Sequence, residues 1–248
     1  NFAELMTIRA KEIGLRSSNF TNSTGWPDPE HKMSSKDLVI LANKIREKYP
    51  SYYRIFDDLE FTWDNISQKN RNPLLFMNLG ADGLKTGFTE EAGYGLIASV
   101  KQNKRRITFV ITGLNSVEQR AREAKGITTW AFKKFKLKTY FKKNSIILEA
   151  PVWRGKKESV KISATNDIQT LLASDAKEST EIQIVLKEPL VAPLKKGQKI
   201  NGHLVVKTAP LVKADVEKRQ LIFQIEVGED LERGGLANKL STNLDTLK

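Results

Sequence analysis

Residues 80–95 read Gly-Ala-Asp-Gly-Leu-Lys-Thr-Gly-Phe-Thr-Glu-Glu-Ala-Gly-Tyr-Gly. Within them Lys85-Thr86-Gly87 sets an ammonium, a hydroxyl and a side-chain-free position in succession. A tripeptide of this form accompanies serine acyl transfer on carboxylate-ended peptides. That chemistry also needs a serine whose proton a neighbouring base can take, and donors aimed at the developing oxyanion. Two internal motifs bear on the serine. Ser174-Asp175-Ala176-Lys177 fits Ser-x-x-Lys, but it follows Lys85 and lies beside a Lys-Glu-Ser-Thr turn. Two constrained positions recur by chance in a chain with 41 Lys and Arg. Ser17-Ser18-Asn19 fits Ser-x-Asn, in a polar loop. Neither is read as catalytic. Asp82 and Gly83 read as turn residues. His31 and His203 stand alone, so no metal site is expected.

The elements around the tripeptide are legible. The apolar run Gly95-Leu96-Ile97-Ala98-Ser99-Val100 follows a short turn. A second, Ile107-Thr108-Phe109-Val110-Ile111-Thr112-Gly113, follows Lys101–Arg106. This is the pattern of an antiparallel meander with Lys85-Thr86-Gly87 on its first strand. Phe2, Leu5, Met6 and Ile13 recur at helical spacing, with Gly14 as a stop. Residues 15–34 form a long loop containing Pro27 and Pro29. Ser34 or Ser35 caps a helix that turns Leu38, Leu41, Ala42 and Ile45 inward and is closed by Pro50. Residues 51–79 read as short strand-like pieces and loops. Ser116 caps a helix running to about Lys134, with Val117, Ala121, Ala124, Ile127, Trp130 and Ala131 on its apolar side and Arg120 one turn in. From Ile146 the pattern alternates, in Ile182–Leu186, His203–Lys207 and Leu221–Val227, as in a small all-β domain. Beyond Arg233-Gly234-Gly235, Leu236, Leu240, Leu244 and Leu247 recur at helical spacing and read as the root of an amphipathic anchor.

At 248 residues, one large or two smaller domains are expected. The division read from the pattern is 1–143, 144–232 and 233–248. No run of 18 apolar residues occurs, so no transmembrane helix is expected. Asn1-Phe2-Ala3-Glu4 lacks a basic region followed by an apolar block, so no signal peptide is read there. The absence of cysteine excludes disulfides and thiolate metal sites. The net charge of +12 favours an anionic partner. Its densest stretch, Lys133–Lys143, interleaves lysine with Phe135, Tyr140 and Phe141, which suits a nucleic-acid or an anionic membrane surface. The simpler reading is a solvated helix end and loop with the aromatics turned inward. No nucleic-acid-binding motif accompanies it, and no nucleic acid is expected as a partner.

The chain resembles the D-alanyl-D-alanine carboxypeptidases, the low-molecular-mass penicillin-binding proteins, along nearly its whole length. The stretches that carry the resemblance run in the family's order. They are Phe2-Ala3-Glu4-Leu5-Met6, Ala10–Leu15, Phe20-Thr21-Asn22-Ser23-Thr24-Gly25, Ser34–Leu38, Phe61-Thr62-Trp63, Gln68–Leu75, the Lys-Thr-Gly block, Thr129-Trp130-Ala131-Phe132 and Pro151-Val152-Trp153. The resemblance implies an α+β fold: a β-lactamase/transpeptidase-like domain, incomplete here, with an antiparallel sheet and helices, then a small all-β sandwich-like domain. It implies a periplasmic enzyme, peripheral on the inner membrane, that trims the terminal D-alanine of peptidoglycan stem peptides through an acyl-serine and binds β-lactams. No cofactor is implied. In the family Ser-x-x-Lys and Ser-x-Asn precede Lys-Thr-Gly by more than the 84 residues available before Lys85. Both are therefore expected upstream of Asn1, on a missing N-terminal segment with the catalytic serine, and this chain alone is expected to be inactive. By the same resemblance Lys85 supplies a cation facing the serine. Thr86 offers its hydroxyl to the substrate carboxylate, and Gly87 leaves room for substrate. The Phe88 N–H is an oxyanion-hole donor, Phe88 standing where many members have His, and Arg120 binds the terminal carboxylate. The alternatives are a non-catalytic cell-wall or membrane-surface module and a β-lactamase-related protein.

Overall fold

The computed structural model describes residues 1–174, 178–210 and 219–235. The chain divides into two compact units, Asn1–Lys133 and Lys134–Lys248. The first contains α1 (Phe2–Glu12), α2 (Ser35–Lys48), α3 (Pro50–Tyr53), the hairpin β1 (Glu60–Trp63) and β2 (Ile66–Lys69), the meander β3 (Ala81–Thr89), β4 (Gly93–Gln102) and β5 (Arg105–Leu114), and α4 (Val117–Lys134). The architecture is α+β, with an antiparallel sheet and helices followed by an all-β unit.

The meander is antiparallel in the order β3-β4-β5, and alternation along β4 gives it two apolar faces. Leu96, Ala98 and Val100 pack with Leu74 and Ala124 of α4. Ile97 packs with Ala42, Tyr53 and Leu84 on the α2 and α3 side. Two helix faces depart from the sequence reading. The buried stripe of α4 is Arg120, Ala124 and Thr128, whereas Val117 and Trp130 are exposed. These three lie four apart on one face, and the Thr128 hydroxyl is satisfied by donating to Ala124 O at 2.8 Å. On α1 the small residues Ala3 and Ala10 are buried while Phe2 and Leu5 are exposed. Phe2, Leu5, Met6 and Ile13 instead line an open groove with Leu15, Phe20 and Leu41.

The loop after α1 is tied to the start of α2. Ser34 Oγ accepts from the Asp37 N–H at 3.1 Å, capping the helix. The buried Asp37 carboxylate accepts from Ser17 N (2.8 Å) and Ser18 Oγ (2.7 Å). The Ser18 hydroxyl chiefly holds this carboxyl below its ordinary range, against the opposing effect of burial. A depressed folded pKa contributes stability that is complete above the unfolded value of about 3.9 and is lost as pH falls through the lower folded value. The melting temperature is therefore expected to fall on acidification below about pH 4, and Asp37→Asn to flatten that fall. Melting curves between about pH 6 and pH 2 check this; equal acid slopes for both proteins would contradict it.

The second unit contains β6 (Phe135–Phe141), β7 (Ile146–Trp153), β8 (Ser159–Ala164), β9 (Ile168–Ala173), β10 (Glu178–Leu186), β11 (Leu190–Val191), β12 (Lys199–Pro210) and β13 (Arg219–Val227). Six strands form one sheet in the order β10-β12-β13-β8-β7-β11, and β6 pairs with β9 in a second. The core of the larger sheet gathers Val160, Ile162 and Ala164 of β8, Leu204 and Val206 of β12, and Ile225 and Val227 of β13. Lys133 and Lys134 close α4 as expected, but residues 135–141 form the strand β6 where a loop was expected. Its aromatics Tyr140 and Phe141 do pack against this core, and Lys136 and Lys138 stay exposed. Ser174 is exposed at a turn after β9; Lys177 and the leucines at 236–247 lie outside the described residues. No described helix is long and apolar enough to cross a membrane.

Candidate functional site

The tripeptide lies mid-strand on β3, in a hairpin with β4 that pairs Lys85 with Ile97, Gly87 with Gly95 and Phe88 with Tyr94. The turn is closed by Ala92 N donating to Thr89 Oγ1 at 3.0 Å. Gly93 is required there: its φ is +65°, and a Cβ would stand 2.7 Å from Leu114 O. Along the strand Lys85 is exposed, Thr86 is 8% exposed, and Gly87 faces space free of any atom within 4 Å of a built Cβ. These residues and Phe88 line a groove of about 290 Å³ whose walls include Leu38 of α2, Ile97 and Val110. The Lys85 ammonium donates to Thr86 O at 2.7 Å and makes no ion pair among the described residues.

Arg120 comes to the end of β3 from α4. Its guanidinium sits 5.7 Å from the centroid of the Tyr94 ring, and that ring lies 4.4 Å from Phe88. Arg120 is only 5% exposed. Its Nη2 donates to Arg71 O at 3.4 Å, and its Nε is buried with no hydrogen-bond partner. Among the described residues no carboxylate pairs with it. Burial is the main influence lowering its pKa; the Tyr94 ring opposes this and the Arg71 charge adds to it. A buried cation with unspent donors is costly unless an anion meets it, and its planar fork matches a carboxylate.

Upstream on the same strand, Asp82 makes a forked ion pair with Arg106 of β5, with both oxygens at 2.6 Å. The Tyr53 hydroxyl donates to Asp82 Oδ1 at 2.9 Å. Asp82 is thus a strand residue with an ionic partner rather than part of a turn. Burial opposes its ionisation, yet the hydrogen bonds from Arg106 and Tyr53 prevail and hold the carboxyl below its ordinary range. Burial, joined by the Asp82 charge, pushes the Tyr53 phenol up to about 12.

The structure sets Lys85, Thr86, Gly87 and Phe88 along one groove and links Arg120 to Phe88 through Tyr94. Ser18, bonded to Asp37, and Asn19, bonded to Glu30 O, do not line the groove, and Ser174 lies in the other unit. Tyr94 and the Asp82–Arg106–Tyr53 cluster escaped the sequence reading. The hairpin register, which puts Tyr94 opposite Phe88, was the available signal for the first. Among the described residues no three His, Asp or Glu side chains gather as metal ligands.

Comparison with known proteins bears on this geometry. The family model for D-alanyl-D-alanine carboxypeptidase matches residues 1–116, and that for the C-terminal domain of penicillin-binding protein 5 matches residues 135–229. D-alanyl-D-alanine carboxypeptidase DacA of Haemophilus influenzae is 33% identical over 92% of this chain and 58% of its own length. DacC of Escherichia coli is also 33% identical, over 97% of this chain and 58% of its own length. The solved structure of penicillin binding protein 5 from Haemophilus influenzae matches with a TM-score of 0.71 at 31% identity, covering 94% of this chain and 66% of that one. The chain therefore spans 58% of the length of these two curated relatives.

Proposed function

The chain belongs to the D-alanyl-D-alanine carboxypeptidase family, and from that premise we propose that its first unit forms one wall of a serine acyl-transfer site. The substrate is a peptidoglycan stem peptide in the periplasm. A serine oxygen attacks the carbonyl that precedes the terminal D-alanine, and its proton passes to a lysine amine. The terminal D-alanine leaves with the proton on its amine, and water then hydrolyses the ester and restores the serine. The same serine opens β-lactams and remains acylated. The serine and its base come from sequence outside these 248 residues.

The observation that carries the reading is the buried Arg120, which meets no carboxylate among the described residues, at the end of the strand that presents Lys85 and Thr86. A substrate ending in a carboxylate supplies the missing negative charge. Thr86 adds a hydroxyl donor, Lys85 lowers the energy of the anionic transition state, and the Phe88 N–H donates to the oxyanion. A non-catalytic wall-binding module is the second reading, favoured by the commitment of Ser18 to Asp37. The purified 248-residue chain, incubated with a fluorescent penicillin and run on a denaturing gel, is expected to remain unlabelled. The same chain produced together with a segment carrying Ser-x-x-Lys and Ser-x-Asn is expected to support labelling of that segment's serine. A stoichiometric label on the chain alone contradicts the first expectation and directs attention to Ser174. No label in either case favours the wall-binding reading.

A further inference from the structure

Asp82 is the residue that β3 holds in excess of its partner strand. Ala81 pairs with Val100 and Gly83 with Ser99, so two steps along β3 match one along β4. A bulge of this kind re-aims the side chains beyond it, because a one-residue slip exchanges the two faces of a strand. The exposure of Lys85 and the burial of Thr86 therefore depend on where the extra residue sits. The ladder holds it weakly, since Gly87 lies opposite Gly95 and glycine-rich strands specify register poorly.

The contacts that hold the bulge come from outside the β3–β4 pair. The Asp82 carboxylate reaches past β4 to the Arg106 fork on β5, and Arg106 Nη1 also donates to the buried Ser99 Oγ at 2.5 Å. One ion pair thus ties all three strands of the meander. Tyr53 adds a hydrogen bond from α3, and Gly83 allows its approach, for a Cβ there would stand 3.1 Å from the Tyr53 hydroxyl. Forked arginine–carboxylate pairs set position as well as contributing energy. We propose that Asp82 and Arg106 are positioning residues that lock the β3 bulge and so decide that Lys85 is exposed and Thr86 buried. That Lys85 and Thr86 do chemistry rests on the reading above; that Asp82 sets their register does not.

The chain has no cysteine, which allows a direct register assay. Phe88→Cys with Tyr94→Cys reports the native ladder, where those two rings touch. Gly87→Cys with Tyr94→Cys reports the ladder without the bulge, in which residue 87 would move opposite 94. Each disulfide's equilibrium constant is measured in glutathione buffer. With Asp82 present the 88–94 bridge is favoured. With Asp82→Ala or Asp82→Asn the ratio is expected to shift toward 87–94 by roughly tenfold, the worth of one charge-assisted hydrogen bond. Arg106→Lys, which keeps the charge and loses the fork, is expected to behave like Asp82→Asn. If Asp82→Ala does not fold, the isosteric Asp82→Asn decides. An unchanged ratio in Asp82→Asn and Arg106→Lys overturns the proposal, even where penicillin acylation by the assembled enzyme falls. A shifted ratio with undiminished acylation upholds the register lock and removes Lys85 from the chemistry.

Discussion

Replacing Lys85 by Ala is expected to slow penicillin acylation of the assembled enzyme by about 100- to 1,000-fold, the usual cost of removing one preorganised electrostatic donor, about 2.7–4 kcal/mol. The melting temperature should barely move. The Lys85 side chain is exposed, and among the described residues it donates only to the neighbouring Thr86 carbonyl. Substitution at such a position usually changes stability by no more than about 0.5 kcal/mol. Thr86→Val should slow acylation less, because Arg120 still holds the carboxylate. Acylation rate and melting temperature measured on all three proteins make the comparison. Near wild-type acylation by Lys85→Ala, or a loss matched by unfolding, would mean that Lys85-Thr86-Gly87 is a coincidental tripeptide.

Arg120→Met is expected to separate binding from stability with opposite signs. In the assembled enzyme it should lower kcat/KM for peptides ending in a free carboxylate by about ten- to a hundredfold, through loss of a charge-assisted contact of about 1.5–3 kcal/mol. The corresponding C-terminal amide should lose little. The chain itself should melt higher, by roughly 2–4 °C for about 1 kcal/mol. The sign comes from burial: Arg120 is 5% exposed, has an unsatisfied Nε and has no anionic partner among the described residues. An apolar side chain of similar length removes that desolvation cost. Equal losses for acid and amide substrates would make Arg120 a structural residue. A lowered melting temperature would mean that its contacts with Tyr94 and Arg71 O outweigh its desolvation.

Local patterns along the chain foretold much of this. Ser34 and Ser116 cap α2 and α4 as their spacing indicated, two apolar runs around a short basic turn located the meander, and alternation located β10, β12 and β13 in the second unit. Contacts between elements distant in sequence were harder to foresee. Arg120 on the inner stripe of α4 broke the apolar pattern, so Val117 and Trp130 were assigned inward in its place. The face of α1 was misleading for a related reason: periodicity marks an apolar stripe without saying what covers it. The strand at 135–141 was hidden because its lysines obscured the alternation, and only its pairing with β9 reveals it. Asp82 looked like a turn residue because Asp-Gly usually is one. Its partners, 24 and 29 residues away, leave no trace in a local window.

The division into two units has a calorimetric consequence. Each apolar cluster of described residues lies wholly within one unit, so each unit carries its own cooperative heat of melting. A heat-capacity trace of this chain should resolve into two overlapping transitions, with a calorimetric enthalpy exceeding the van't Hoff value of either one. Substitutions at Asp37, Asp82 and Arg120 should displace one of these peaks and leave the other in place.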